Sequence, residues 1–299
     1  MGVAGNRDVG RRGSKCRTKA DLYEQASCEI DYYFIRLIIF LTGPPITARC
    51  TTTVTTRREP KVFQNAYGRL ENIVMPILTA WLQSDGGVAW NMGAGLIVNE
   101  DGDFITAAHV LTCISRPPEA GNPPSSYTTK FGTTEAVFDG GYIHEELDFG
   151  WGKLKGYTPS PNHQYPVFRS GEVLPGELLC RIGYPFIEEG FQPRWNNRTF
   201  EFYNIDSLPQ FINEALVSRF VDFPYMARAW METSSPGLGG QSGGPVVDEY
   251  GLVCGIQVNT RKYPIATAEP DWSYYVGRAV TVMAIRAILD QHNVPYLSR

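Results

Sequence analysis

Glycine and proline break most of this chain into short apolar runs, and that punctuation limits what it can fold into. There are 30 glycines and 21 prolines in 299 residues. Gly95-Leu96-Ile97-Val98 leads into Asn99-Glu100-Asp101-Gly102-Asp103 and then Phe104-Ile105-Thr106, two apolar runs around an Asp-Gly turn, which predicts a β-hairpin. Further strand-like runs are Leu178 to Ile182, Pro245-Val246-Val247 and Leu252 to Val258, the last two joined by the turn Asp248-Glu249-Tyr250-Gly251. Many short strands between such turns imply an all-β sandwich or barrel. Three segments read otherwise. Leu70 to Leu82 has helical spacing around an internal Pro76, and Val280 to Leu289 suits a closing helix. Residues 188–232 form an aromatic-rich stretch with a helix-like piece at Leu208 to Leu216, expected to be a surface insertion with its own small core or a loop gating a site.

Charge and cysteine usage exclude several classes. Lys and Arg number 27 against 31 Asp and Glu. The positive excess sits in residues 1–60, with ten basic and six acidic residues, so the larger part is mildly acidic and lacks the field that nucleic-acid binding needs. Six cysteines are too sparse for a disulfide scaffold, no CxxC occurs, and four histidines leave little for a zinc site. Free buried thiols in a reducing compartment such as the cytoplasm are the expectation. Residues 1–60 predict a poorly ordered extension preceding a domain over 61–299. The apolar run from Tyr32 to Leu41 contains Arg36 and is far short of the ~20 apolar residues of a spanning helix, so no integral membrane span is expected. Export by a non-standard signal is the competing reading.

Two local strings carry the chemistry. The first is Thr106-Ala107-Ala108-His109-Val110, just after the hairpin; the second is Gly239-Gly240-Gln241-Ser242-Gly243-Gly244-Pro245, just before a strand. A serine hydroxyl needs a positioned base and backbone N–H groups aimed at the oxyanion formed on attack. Flanking glycines permit the tight turn with positive φ that exposes such a serine. An imidazole titrates near neutrality, so His109 suits the base. A third group must orient the ring; Asp148, opening Leu147-Asp148-Phe149-Gly150-Trp151-Gly152-Lys153-Leu154, is the choice, with Asp139, Glu145 and Glu146 as competitors.

These blocks, in the order His, Asp, Ser, resemble the signatures of chymotrypsin-like serine endopeptidases; the α/β-hydrolase and subtilisin orders differ. Ser170 to Glu177 with Ile182-Gly183-Tyr184-Pro185-Phe186 is similar to a segment of bacterial high-temperature-requirement-type proteases, and the likeness spans about residues 88–292. The resemblance implies two six-stranded antiparallel β-barrels with the active site between them, followed by a C-terminal helix. It implies His109 as general base, Asp148 as orienting acid, Ser242 as nucleophile, and the N–H groups of Gly240 and Ser242 as oxyanion hole. Pro236, Gly237 and Leu238 would face Val258, Asn259 and Thr260 across the substrate pocket. The substrate would be a polypeptide, with no metal or organic cofactor. No room is expected for the C-terminal peptide-binding module of many such proteases. The alternative is a catalytically silent module of the same fold that binds peptides or partners.

Two departures matter. Gln241 stands where the digestive enzymes have an Asp that pairs with a freed N-terminus, so activation is expected not to need that cleavage. Pro236 stands where trypsin has the Asp that selects Arg and Lys. A preference for small or apolar side chains before the cut is expected.

Overall fold

A computed structural model describes residues 63–82, 86–115, 129–131, 134–159, 162–185, 194–196, 199–201, 208–264 and 273–299, all within the compact unit 58–299. The expected extension over 1–60 lies outside the described residues. Helix α1 (Gln64–Leu70) precedes a six-stranded antiparallel sheet of β1 (Val74–Leu82), β2 (Val88–Ile97), β3 (Asp103–Ala107), β4 (Thr129–Phe131), β5 (Thr134–His144) and β6 (Phe149–Lys155), in the order β1-β2-β3-β6-β5-β4. The hairpin turn forms as the sequence predicts. Gly102 takes φ +79°, and the Asn99 side chain accepts from the Asp101 and Asp103 N–H groups at 3.0 and 3.2 Å. The helix expected over Leu70 to Leu82 is instead the end of α1 and strand β1. Residues 73–80 are buried throughout, so their apolar run carries no period of two, and Pro76 is tolerated because β1 is the edge strand.

The second sheet holds β7 (Val167–Phe168), β8 (Leu178–Gly183), β11 (Phe211–Phe223), β12 (Met226–Thr233), β13 (Pro245–Val247), β14 (Val253–Pro264), β15 (Ser273–Thr281) and β16 (Leu297–Ser298); a separate hairpin pairs β9 (Arg194–Asn196) with β10 (Thr199–Glu201). Strand β13 pairs with both β8 and β14, so the run β13-β8-β11-β12-β15-β14 closes on itself, while β7 and β16 add two parallel pairings at the far end. Leu179, Val217, Met231, Val246, Cys254 and Ala279, one from each strand of that ring, pack together as its core. Thus a mostly β fold meets the expectation; one sheet has six antiparallel strands, and the other has eight, six of which form the closed ring. Residues 211–223 and 226–233, expected in a surface insertion with a helical piece, are central strands of the ring. Helix α2 (Ala108–Ser115) follows β3, and helix α3 (Val282–Gln291) closes the chain, burying Val282, Ala284, Ile285, Ile288 and Leu289. The Cys180 and Cys254 thiols are free and buried, and burial pushes both up to about 12, so they are inert as nucleophiles.

One buried ion pair ties β12 to β15. Glu232, 1% exposed, accepts from Arg278 Nη2 at 2.5 Å, Arg219 Nε at 2.7 Å and the Tyr263 hydroxyl at 2.7 Å. Glu232→Ala strands the Arg278 cation, and chemical denaturation is expected to show a loss of about 3–5 kcal/mol; a loss under ~1 kcal/mol contradicts this role.

Candidate active site

Asp148 sits in the turn between β5 and β6 with φ +58°, a left-handed conformation that Asp tolerates better than bulkier residues. From there it holds the start of α2. Its carbonyl accepts from Ala108 N–H at 3.0 Å, and Oδ1 accepts from His109 N–H at 3.0 Å. The same carboxylate grips the ring: His109 Nδ1 lies 2.9 Å from Oδ1 and 3.0 Å from Oδ2. A proton on Nδ1 satisfies that contact and leaves the Nε2 lone pair, which has no partner among the described residues. The His109 side chain is 45% exposed and Asp148 21%, so the pair opens to solvent on the imidazole side. Leu147, buried beside Asp148, accepts from Trp230 Nε1 at 3.2 Å, which anchors this turn to β12. Of the competing acids, Glu145 and Glu146 are exposed.

Ser242 lies on the turn before β13. Gly240 and Gly243 both take φ +86°. A side chain on Gly243 would collide with Thr106 Oγ1 and the Ala94 carbonyl, so glycine alone lets this turn approach the first sheet. The Ser242 carbonyl accepts from Ala94 N–H of β2 at 2.7 Å, and Gly243 N–H donates to Gln257 at 2.7 Å. These contacts bring the turn against Thr106-Ala107, the two residues that run into the helix bearing His109. The Ser242 hydroxyl donates to the Val258 carbonyl at 3.2 Å, and no hydrogen bond joins it to His109 among the described residues. Neither the Gly240 nor the Ser242 N–H has an acceptor among the described residues. The Gly240 carbonyl is turned away, accepting from Tyr184 N–H at 3.1 Å.

The six residues expected around a substrate pocket meet in part. Thr260 Oγ1 donates to the Gly237 carbonyl at 2.8 Å, linking the two walls. Pro236 and Thr260 are exposed, Gly237, Leu238 and Asn259 half-buried, and Val258 buried. Three neighbours were not signalled by the motifs. Gln257 packs against Gly237 and donates to the Asn259 carbonyl at 2.8 Å. Arg181 donates to the Pro236 carbonyl at 2.8 Å and the Ser235 carbonyl at 2.7 Å. Its only sequence trace is one charge inside the apolar run Leu178 to Gly183. Asn213, on β11, accepts from Gln241 Nε2 at 2.7 Å, while Gln241 Oε1 accepts from Leu238 N–H at 3.0 Å. Gln241 is fully buried, so this amide fastens the Ser242 turn to β11 with no charge involved. Among the described residues, no group of three or more His, Cys, Asp or Glu could hold a metal ion.

A family model, described as the trypsin-like peptidase domain, matches residues 93–256, more than half of the chain. The chain belongs to the trypsin-like peptidase domain family. No curated protein matches it significantly. As a trypsin-like peptidase domain, it takes its serine-protease character from the family, and Gln241 gives its Ser242 turn a neutral anchor. Asn213→Ala leaves the buried Gln241 amide without an acceptor, and a loss of about 1–3 kcal/mol in chemical denaturation is expected; an unchanged midpoint contradicts the anchoring role.

Proposed function

We propose that this trypsin-like domain is an active serine endopeptidase that cleaves polypeptides through an acyl-enzyme. The observation that carries the reading is the Asp148 carboxylate on His109 Nδ1, which leaves Nε2 as the free base facing outward. Ser242 is the nucleophile in this reading. Rotation about its Cα–Cβ bond takes Oγ off the Val258 carbonyl and toward the imidazole. His109 accepts the hydroxyl proton as Oγ attacks the peptide carbonyl, and Asp148 stabilises the imidazolium. The unpartnered N–H groups of Gly240 and Ser242 receive the oxyanion. His109 then returns the proton to the leaving amine, and water, deprotonated by the same ring, hydrolyses the ester.

Pro236, Gly237 and Leu238 with Val258, Asn259 and Thr260 would seat the side chain before the cut. The Gln241–Asn213 amide pair supports activity without a freed N-terminus, since the turn is anchored internally. We further read residues 61–299 as the protease domain, 1–60 as an extension, and the sheets as the barrel pair of the family. Within it, Ser170 to Glu177 and Ile182 to Phe186 favour the high-temperature-requirement-type branch. No helix among the described residues is long and apolar enough to cross a membrane.

A fluorophosphonate probe tests the assignment. Labelling of the full chain that disappears in Ser242→Ala and in His109→Ala is expected; no labelling of folded wild-type protein supports the silent, peptide-binding module instead. Asp148→Asn keeps the shape but favours the wrong tautomer, so peptide hydrolysis is expected to fall about 10³–10⁴-fold. A fall of less than about tenfold removes Asp148 from the mechanism.

A further inference from the structure

Arg181 is fully buried on β8 and has no carboxylate partner among the described residues. Its guanidinium is held by neutral oxygens: the Ser235 carbonyl at 2.7 Å, the Pro236 carbonyl at 2.8 Å, Ser235 Oγ at 3.2 Å, and Thr233 Oγ1. The other buried arginine among the described residues, Arg278, is neutralised by Glu232. An uncompensated buried charge is costly, which makes its position informative. Burial pushes Arg181 down to about 10, so it remains a cation at neutral pH.

The guanidinium stands behind the pocket proposed above. Gly277 pairs with Thr260 across β15 and β14, and a Cβ on Gly277 would lie 2.5 Å from Arg181 Nη2. Glycine at 277 therefore lets the cation approach the backbone that pairs with Thr260. The opposite wall is pinned to the same group through the Ser235 and Pro236 carbonyls. The Ser235 carbonyl also accepts from Gly277 N–H at 2.8 Å, so both of its lone pairs are already engaged. Low-dielectric surroundings carry the uncompensated charge further than water would.

We infer that Arg181 makes the pocket select a carboxylate side chain, Glu or Asp, immediately before the scissile bond. The inference rests on the endopeptidase reading above and replaces the small or apolar preference expected from Pro236 alone. Lys and Arg are disfavoured by like charge. Glu and Gln match in shape, so their difference isolates charge.

The test uses the full chain and quenched peptides that differ only in the residue before the cut: Glu, Asp, Gln, Leu and Arg. The expected result is a kcat/KM for Glu or Asp at least tenfold above Gln and Leu, with Arg cleaved least. In Arg181→Met that Glu-over-Gln ratio is expected to collapse towards one, and in Arg181→Lys to be largely retained. Equal cleavage of the Glu and Gln peptides by wild-type enzyme overturns the inference, and this comparison stands even if Arg181→Met does not fold. Probe labelling of Ser242 accompanied by a preference for Leu or Arg overturns the pocket assignment while leaving the endopeptidase reading intact. Absence of both labelling and cleavage overturns both.

Discussion

Both oxygens of the Asp148 carboxylate serve a single residue, His109, and the rest of the site follows from that. One contact fixes the backbone at the start of α2 and the others hold the ring, so helix start and imidazole share one anchor. A charge-assisted bond to an N–H at a helix start is also favoured by the local dipole. Ring orientation is thus set by the same group that starts the helix.

The second half of the site is brought up by backbone contact. Ser242 reaches the first sheet through its own carbonyl on Ala94, and Gly243 presses against Thr106 with no side chain to hold it off. Behind the turn, Gln241, Asn213 and Arg181 bind it and the preceding segment to β8 and β11. Satisfied amides and carbonyls do the work that an ion pair would otherwise do, and buried hydrogen-bonded groups of this kind fix one geometry because leaving any of them unpaired is expensive. Among the described residues the Gly240 and Ser242 N–H groups have no acceptor, and in the proposed reaction they receive the oxyanion.

Much of this was legible because it is local. Thr106 to Val110 and Gly239 to Pro245 each compress one half of the proposed site into a few consecutive residues, and glycine at 240 and 243 announces the positive φ observed there. The helix expected over Leu70 to Leu82 failed because a strand buried on both faces has no alternation to read. Phe211 to Leu216 failed for the opposite reason: Ile212 and Leu216 are apolar yet exposed, which hid the period of two in β11. Arg181, Asn213 and Gln257 were invisible beside the Ser242 turn since each reaches it, or the segment before it, with a side chain from a strand distant in sequence, and no local motif records that.

The central claim is that Ser242 leaves the Val258 carbonyl for His109 and that its oxyanion falls between two waiting N–H groups. A crystal structure of the chain after reaction with a fluorophosphonate measures this directly. The account predicts a phosphorus–Ser242 Oγ bond, with the phosphonyl oxygen within ~3 Å of both the Gly240 and Ser242 N–H groups and His109 still clasped by Asp148. An adduct whose phosphonyl oxygen points away from those donors, or an unmodified Ser242 still bonded to Val258, would contradict it.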